Sequence, residues 1–163
     1  MGAALSVGPL ALGLTTAAAA KTAATAKSQT KPTKITCQTH TSIAIAQGAT
    51  GVTPPAAAGD EFGTMQCGKK LGTGVQADTF TVPTGGDTVA KYRMFFATGV
   101  LHGTYDLTPQ TTALNFLQTS WTGKLVIIGG TGAYKGATGS GTMTCQTSDS
   151  IHTVCTDKLK LKL

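Results

Sequence analysis

The sequence has little charge and almost no glutamate, and both deficits limit what the chain can be. Charged residues make up 12% of the 163 residues, and Glu61 is the only glutamate. Long helices draw on Glu, Lys and Arg, so a chain poor in them and rich in threonine and glycine favours strands and turns. Hydrophobic residues reach 40%, which excludes a disordered chain and is enough for one folded domain.

The chain also lacks a concentrated basic region within its body, despite a net charge of +6. The excess comes from lysines in the N-terminal stretch and from Lys158, Lys160 and Lys162 near the C-terminus. Between Ile35 and Asp157, six basic residues are balanced by seven acidic ones. A nucleic-acid-binding domain gathers basic side chains on one folded face, with aromatic residues among them. The sequence therefore predicts no nucleic-acid partner.

Residues 1–20, MGAALSVGPLALGLTTAAAA, carry no charge and end in a run of alanines. This pattern is typical of the hydrophobic region and A-x-A cleavage site of a secretory signal peptide. The alternative is a membrane anchor, but the glycines, Pro9 and two threonines make the stretch weakly hydrophobic. Residues 21–34 hold no large apolar side chain and predict a flexible linker. We therefore expect a secreted protein with one domain over 35–163 and no stable membrane span in the mature form.

The four cysteines form an even set within the predicted domain. Export favours oxidation, so two disulfides are expected. Three pairings are available, and the spacing favours one of them. Cys145 and Cys155 flank a polar turn, TSDSI, between two strand-like runs, so they face each other across a predicted hairpin. That leaves Cys37 to pair with Cys67.

A metal site built from Cys and His is the alternative use of these cysteines. Such a site needs ligands clustered at short spacing. The sequence has no C-x-x-C, and its histidines are scattered at His40, His102 and His152. The sequence therefore predicts no metal and no cofactor.

No window of the chain shows a sustained helical period, whereas several windows alternate with period two. The clearest is the last, in which Leu159, Leu161 and Leu163 alternate with lysines. Such a strand has one buried and one exposed face. Eight or nine short strands separated by turn sequences predict an all-β sandwich or closed barrel. Before the last strand, the predicted runs are 35–46, 62–67, 75–82, 88–98, 100–107, 112–121, 123–128 and 140–147.

Alternation also sorts the side chains of each strand onto two faces. Several strands carry large apolar groups on both faces, as Phe95 and Phe96 do in the run 88–98. We therefore expect a barrel interior on one side and a partner subunit or a loop on the other. The first of these alternatives would make the protein a homo-oligomer, either a dimer or a trimer. In 88–98, Tyr92, Met94 and Phe96 share one face, and in 100–107, Leu101, Tyr105 and Leu107 lie on the face opposite His102 and Asp106.

The segment LVIIGGTGAYKGATGSG places Gly129, Gly130, Gly132 and Gly136 after an apolar strand. A dinucleotide-binding loop needs the spacing G-x-G-x-x-G at the start of a helix. Here the spacing from Gly130 is G-x-G-x-x-x-G, and the following ATGSGTMTC is strand-like. The glycines therefore predict a tight turn between two strands, in which they supply positive φ angles.

Two motifs together resemble the allene oxide cyclase and dirigent superfamily. One is FF-x-x-G-x-L-x-G-x-Y in YRMFFATGVLHGTYDL, and the other is the glycine segment, which is similar to the GG-[ST]-G-x-[FY]-x-G segment of both branches. The resemblance covers residues 75–147. More narrowly, the chain resembles small secreted proteins of the actinobacterial type. It implies a calycin-like, eight-stranded antiparallel closed barrel, often trimeric, with an apolar interior.

The resemblance also implies two kinds of chemistry. Allene oxide cyclases fold a fatty-acid epoxide with the help of an essential glutamate, and Glu61 is the only glutamate here. Dirigent proteins steer radical coupling with interior Asp, Arg and Tyr residues. The matching residue types are Asp106, Arg93 and Tyr105, but alternation puts Tyr105 on the opposite face from Asp106. Neither set is complete, so the sequence leaves enzymatic activity open.

Two functions therefore remain. The first is a secreted, disulfide-stabilised barrel that binds a small apolar ligand and, if it is an enzyme, cyclises or isomerises it. The second is a non-enzymatic structural or surface-associated barrel with a filled interior. The candidate ligand-pocket residues are Tyr92, His102, Tyr105 and Trp121. Each has a plainer alternative, which is core packing for the three aromatic residues and a surface position for His102.

Overall fold

Eight strands form a closed antiparallel barrel in the computed structural model, which describes residues 31–46, 57–82, 87–110, 119–149 and 151–163. Each strand pairs with the next along the chain, and β8 closes the barrel against β1. This confirms the predicted all-β, eight-stranded barrel and excludes the sandwich. The strands are β1 (Thr33–Ala46), β2 (Ala57–Gln66), β3 (Thr73–Val82), β4 (Thr88–Phe96), β5 (Gly99–Pro109), β6 (Thr119–Gly130), β7 (Thr138–Thr147) and β8 (His152–Lys162).

The predicted boundaries differ from the structure mainly at three places. Strand β2 begins at Ala57, whereas the sequence predicted a strand only from residue 62. Strand β1 begins at Thr33, so Thr33 and Lys34 belong to the barrel and not to the linker. Strand β6 is one strand, although the sequence predicted a break near Gly123. Gly123 pairs with Leu107 on one side and Met143 on the other, so both ladders run through it. The predicted signal peptide at 1–20, residues 21–30 of the linker and residues 112–118 of a predicted strand lie outside the described residues.

Both predicted disulfides are confirmed. Cys145 lies directly opposite Cys155 in the β7–β8 hairpin, and the two are bonded. Cys37 on β1 is bonded to Cys67, which immediately follows β2. All four sulfurs are used in these bonds, so none is left as a metal ligand. The two disulfides indicate an oxidising environment.

Glycines shape the short connections of the barrel. The β6–β7 connection contains a 3₁₀ turn over Gly132–Tyr134, in which Gly132 has a φ of 59° and Gly136, just after it, a φ of 81°. The predicted tight turn with positive φ is therefore present, while Gly129 and Gly130 lie within β6. The sequence GKKL forms a one-turn helix, α1 (Gly68–Leu71), between β2 and β3.

The predicted faces of β4 and β5 are those of the structure, with alternate residues buried along both strands. Large apolar side chains also lie on the outer surface, where Phe62 is 59% exposed and Val75 and Phe95 are exposed beside each other on paired strands. The strands β2 to β4 therefore carry apolar groups on both faces, as predicted. Within the described ranges, no helix has the length and apolar character needed to cross a membrane.

Candidate functional site in the barrel interior

One end of the barrel interior is filled with apolar side chains. At this end, which we call the lower end, the chain connects β2 to β3, β4 to β5 and β6 to β7. The rings of Phe96 and Tyr134 pack edge-on at 5.7 Å, and the Tyr134 hydroxyl accepts a hydrogen bond from Thr98 at 2.8 Å. Leu71 and Leu161 are buried in the same core. The lower end is therefore a packed core.

Further from the lower end, polar and acidic side chains face the interior. Glu61, Asp78 and Tyr92 lie directly opposite one another on β2, β3 and β4. Glu61 and Asp78 are each only 6% exposed, and Tyr92 is 1% exposed. Asp157 on β8 is fully buried. We call Glu61, Asp78 and Asp157 the interior carboxyl cluster.

Asp78 is the best-connected member of this cluster. Its Oδ2 atom accepts a hydrogen bond of 2.9 Å from the Nε2 atom of Gln76. Its Oδ1 atom accepts one of 3.1 Å from the Tyr105 hydroxyl. The Thr41 hydroxyl donates to Glu61, the neighbour of Asp78 across the ladder. Two of the three carboxyl groups are thus held in place by side-chain donors.

Asp157 has no such support. Both of its carboxylate oxygens are buried and make no hydrogen bond to any described residue. The same holds for the Oε1 atom of Gln76 and the hydroxyls of Thr39 and Thr153. Most buried polar groups in folded proteins are hydrogen-bonded, and leaving one unpaired costs about 1–3 kcal/mol. Five such atoms on inward-facing side chains of β1, β3 and β8 therefore lower the stability of the folded state.

Burial controls the acid–base chemistry of the cluster. Desolvation raises the pKa of Asp78 to about 7, and the charge of Glu61 adds to the rise, against the hydrogen bonds from Gln76 and Tyr105. Burial, followed by the charges of Glu61 and Asp78, raises the pKa of Asp157 to about 7. Burial also raises the pKa of Glu61, although its bond from Thr41 opposes this. The cluster therefore exchanges protons near neutral pH.

The part of the interior lined by β6 and β7 is apolar, although β7 is the direct neighbour of β8. Strands β6 and β7 contribute Leu125, Ile127 and Met143, each of which is at most 1% exposed. Gly141 lies opposite Leu125, and an added Cβ at Gly141 would collide with the carbonyl oxygen of Lys158, so the strands approach closely here. The interior is thus polar along β1, β2, β3 and β8 and apolar along β6 and β7. This differs from the wholly apolar interior that the family resemblance implied.

The structure brings two of the four predicted pocket residues together. The rings of Tyr92 and Tyr105 lie 6.0 Å apart in the interior, and both are buried. Trp121 is half-buried against the core, opposite Cys145 on β7. His102 alternates with the buried Leu101 and Gly103, so it lies on the outer surface, opposite Arg93 of β4. Successive side chains of a strand point to opposite faces of the sheet. Because Leu101 and Gly103 face the interior, His102 does not.

The residues that the resemblance implied for catalysis are separated by the barrel wall. Glu61 faces the interior, as a cyclase-like site requires. Arg93 and Asp106 are exposed on the outer surface, so the dirigent-like combination of Asp, Arg and Tyr is not assembled. In its place, Asp78 is the interior partner of Tyr105.

Sequence reasoning missed the polar residues of the interior other than the tyrosines, although period-two alternation contained them. Asp157 has the same parity as Leu159 and Leu161, whose burial the sequence predicted. Gln76 and Asp78 alternate in step with the buried Phe80. A polar residue in step with a buried apolar series is the signal that identifies these positions.

In the described part of the chain, no group of three or more His, Cys, Asp or Glu residues is arranged to hold a metal ion. Comparisons of the chain with models of protein families, with curated proteins and with solved structures found no match. Function is therefore argued from the geometry of the interior.

Proposed function

We propose that the protein is a secreted barrel that binds a small molecule in its interior and exchanges a proton with it through Asp78 and Tyr105. The observation that carries the proposal is the set of five buried, unpartnered polar atoms on β1, β3 and β8. The same interior contains the apolar side chains of β6 and β7, and Met143 of β7 lies directly beside Asp157 of β8. A mixed lining of this kind is typical of ligand sites.

A purely structural role does not explain why these polar groups are buried in the interior. The interior of a structural barrel would be most stable if apolar side chains filled it, as they do at the lower end of this barrel. Buried groups that cost stability are expected where they serve a function. The acidic layer is therefore better explained by ligand binding than by durability.

Asp78 is the residue best placed for chemistry. A carboxyl group with a pKa of about 7 is divided between its acid and base forms near neutral pH, which suits general acid–base catalysis. Tyr105 and Gln76 fix its orientation from two sides. A proton transfer of this kind supports an isomerisation or cyclisation of the bound molecule, in line with the resemblance to allene oxide cyclases. Glu61, the neighbour of Asp78, is available as a second acid.

The proposal is tested by methyl-resolved NMR spectra of the exported protein during addition of benzyl alcohol, a small neutral probe. Ile127 faces the interior and Ile128 is 60% exposed on the outside, so the two adjacent isoleucines are a matched pair. We expect saturable shifts at Ile127, Leu125 and Met143 and none at Ile128. Absence of interior shifts with this probe, and with its charged analogues described below, would overturn the proposal and favour the filled structural barrel.

A further inference from the structure

We propose that the natural ligand is an organic cation, in which an ammonium group binds between Asp157, Gln76 and Asp78 and an apolar group packs on Leu125, Ile127 and Met143. The inference rests on the proposed function and specifies its ligand class. It differs from the small apolar ligand that the sequence predicted.

The first argument is the type of hydrogen-bonding group left without a partner. The carboxylate oxygens of Asp157 and the Oε1 atom of Gln76 are acceptors, and the hydroxyls of Thr39 and Thr153 can also accept. Gln76 uses its amide donor on Asp78. A molecule that satisfies these atoms must bring several donors of its own, and an ammonium group brings three N–H donors on one atom.

The second argument is charge. The titratable side chains that face the interior are Glu61 on β2, Asp78 on β3, Tyr92 on β4, Tyr105 on β5 and Asp157 on β8. Strands β1, β6 and β7 contribute no inward-facing titratable group, apart from cysteines that are bonded. None of the buried side chains that the structure describes is basic. The interior thus collects acidic groups only, so a cation is favoured and an anion is repelled.

Binding is expected to release a proton. Before binding, burial and mutual repulsion keep protons on the cluster near neutral pH. When an ammonium group enters, its positive charge favours the carboxylate form, and one carboxyl group gives its proton to the solvent. The step conserves charge, because one cation enters as one proton leaves.

The distribution of polar and apolar side chains in the interior supports the second half of the ligand. The unpartnered acceptors lie on β1, β3 and β8, whereas β6 and β7 present Leu125, Ile127 and Met143. A molecule with an ammonium group at one end and an apolar group at the other matches both sides at once. Highly polar polyamines and neutral lipids each match only one side.

Three probes of the same size and ring test the inference, namely benzylamine, benzyl alcohol and benzoate. Their dissociation constants are measured at about pH 8 from the same methyl shifts of Ile127, Leu125 and Met143. We expect benzylamine to bind at least about tenfold more tightly than benzyl alcohol, as hydrogen bonds to charged groups require. Benzoate should not bind. Equal binding of benzylamine and benzyl alcohol would overturn the cationic ligand but leave the proposed function standing, whereas no interior binding by any probe would overturn both.

A variant pair tests the role of Asp157. Asp157→Asn keeps the shape of the side chain and removes its charge, and Asp106→Asn makes the same change on the outer surface. We expect the first to weaken benzylamine binding about tenfold with little change for benzyl alcohol, and the second to change neither. Unchanged benzylamine binding in Asp157→Asn would contradict the inference.

The unmodified protein provides a test that does not depend on a variant folding. Calorimetry of benzylamine binding is carried out in two buffers of different ionisation enthalpy, which reports the number of protons released. We expect release approaching one proton near pH 7 and weaker binding as the pH is lowered to about 5, because protons then compete with the cation. Binding without proton release and without pH dependence would show that the cluster does not receive the ammonium group.

Discussion

Tyr105 on β5 donates a hydrogen bond of 3.1 Å to Asp78 on β3, across the intervening strand β4. The residue of β4 directly opposite Tyr105 is Ala90, whose small side chain leaves room for this contact. The bond joins the best-oriented acid of the interior to a phenol whose own pKa is raised by burial and by the charge of Asp78. Tyr105 therefore stays protonated and donates, and Asp78 is the member of the pair that gains and loses a proton near neutral pH.

The interior carboxyl cluster should make the barrel more stable in mild acid than in mild base. Asp78 and Asp157 lose their protons at about 7 in the folded chain but at the ordinary value of 3.8 when unfolded. Between these values the folded state binds more protons, so the free energy of unfolding falls as the pH rises. One such group accounts for about 1.4 kcal/mol per pH unit over this interval. Thermal unfolding at about pH 5 and pH 8 should show the higher midpoint at pH 5.

Two single substitutions control that measurement. Asp157→Asn removes a buried acid, so it should raise the midpoint at pH 8 and flatten the pH dependence. Asp106→Asn, on the outer surface, should leave the pH dependence as it is. A wild-type barrel that gains stability from pH 5 to pH 8 would show that these carboxyl groups are not buried together.

The two interior tyrosines should differ in their contribution to stability. Tyr105→Phe removes the bond to Asp78, which we expect to cost about 2 kcal/mol at pH 8, where Asp78 is charged, and about 1 kcal/mol at pH 5. The Tyr92 hydroxyl contacts only the Met94 sulfur, at 3.9 Å, so Tyr92→Phe should cost less than about 1 kcal/mol. Urea unfolding of both variants and the wild type at both pH values measures these four changes in the free energy of unfolding. Equal costs for the two variants would contradict the assigned bond.

The barrel and its disulfides could be predicted from the sequence because they depend on local patterns. Period-two alternation grouped Tyr92 with Met94 and Phe96, and Tyr105 with Leu101 and Leu107, as the structure does, and the turn TSDSI paired Cys145 with Cys155. The carboxyl cluster could not be predicted in the same way. Glu61, Asp78 and Asp157 lie on β2, β3 and β8, and only the closure of the barrel brings Asp157 into the field of the other two.

The closure of the barrel also brings together basic residues that are far apart in the sequence. The sequence treated the lysines of the N-terminal stretch and of the last strand as separate groups. Because β1 pairs with β8, Lys34 lies directly opposite Lys160, with Lys158 and Lys162 on the same outer face. Which residues face each other depends on the register between the first and last strands, and no local pattern reports it.

The two disulfides should contribute unequally to stability. The bond between Cys37 and Cys67 spans a sequence separation of 30, and that between Cys145 and Cys155 spans 10. Loop-closure entropy in the unfolded chain then predicts about 3.7 kcal/mol for the first and about 2.7 kcal/mol for the second. Urea unfolding of the two double Cys→Ala variants measures both. A larger loss on removal of the Cys145–Cys155 bond would contradict this order.

The glycine turn offers a second matched pair. Gly136 has a φ of 81° and open space around the position of an added Cβ, so Gly136→Ala should cost only the backbone strain, about 1 kcal/mol. Gly132 has a similar φ of 59°, but an added Cβ would also collide with the carbonyl oxygen of Thr98. We expect Gly132→Ala to cost at least about 1 kcal/mol more than Gly136→Ala. Thermal unfolding of the two variants compares them, and equal midpoints would argue against the close approach of the turn to Thr98.

The most direct measurement is a pH titration of the side-chain carboxyl carbons of Glu61, Asp78 and Asp157 by ¹³C NMR, without and with benzylamine. In the free protein we expect the pKa of Asp78 and Asp157 at about 7 and that of Glu61 above its ordinary value of 4.5. With benzylamine bound, the pKa of Asp157 should fall. If all three groups titrate at their ordinary values and benzylamine leaves them unchanged, the barrel does not contain the buried acidic site on which its function is argued.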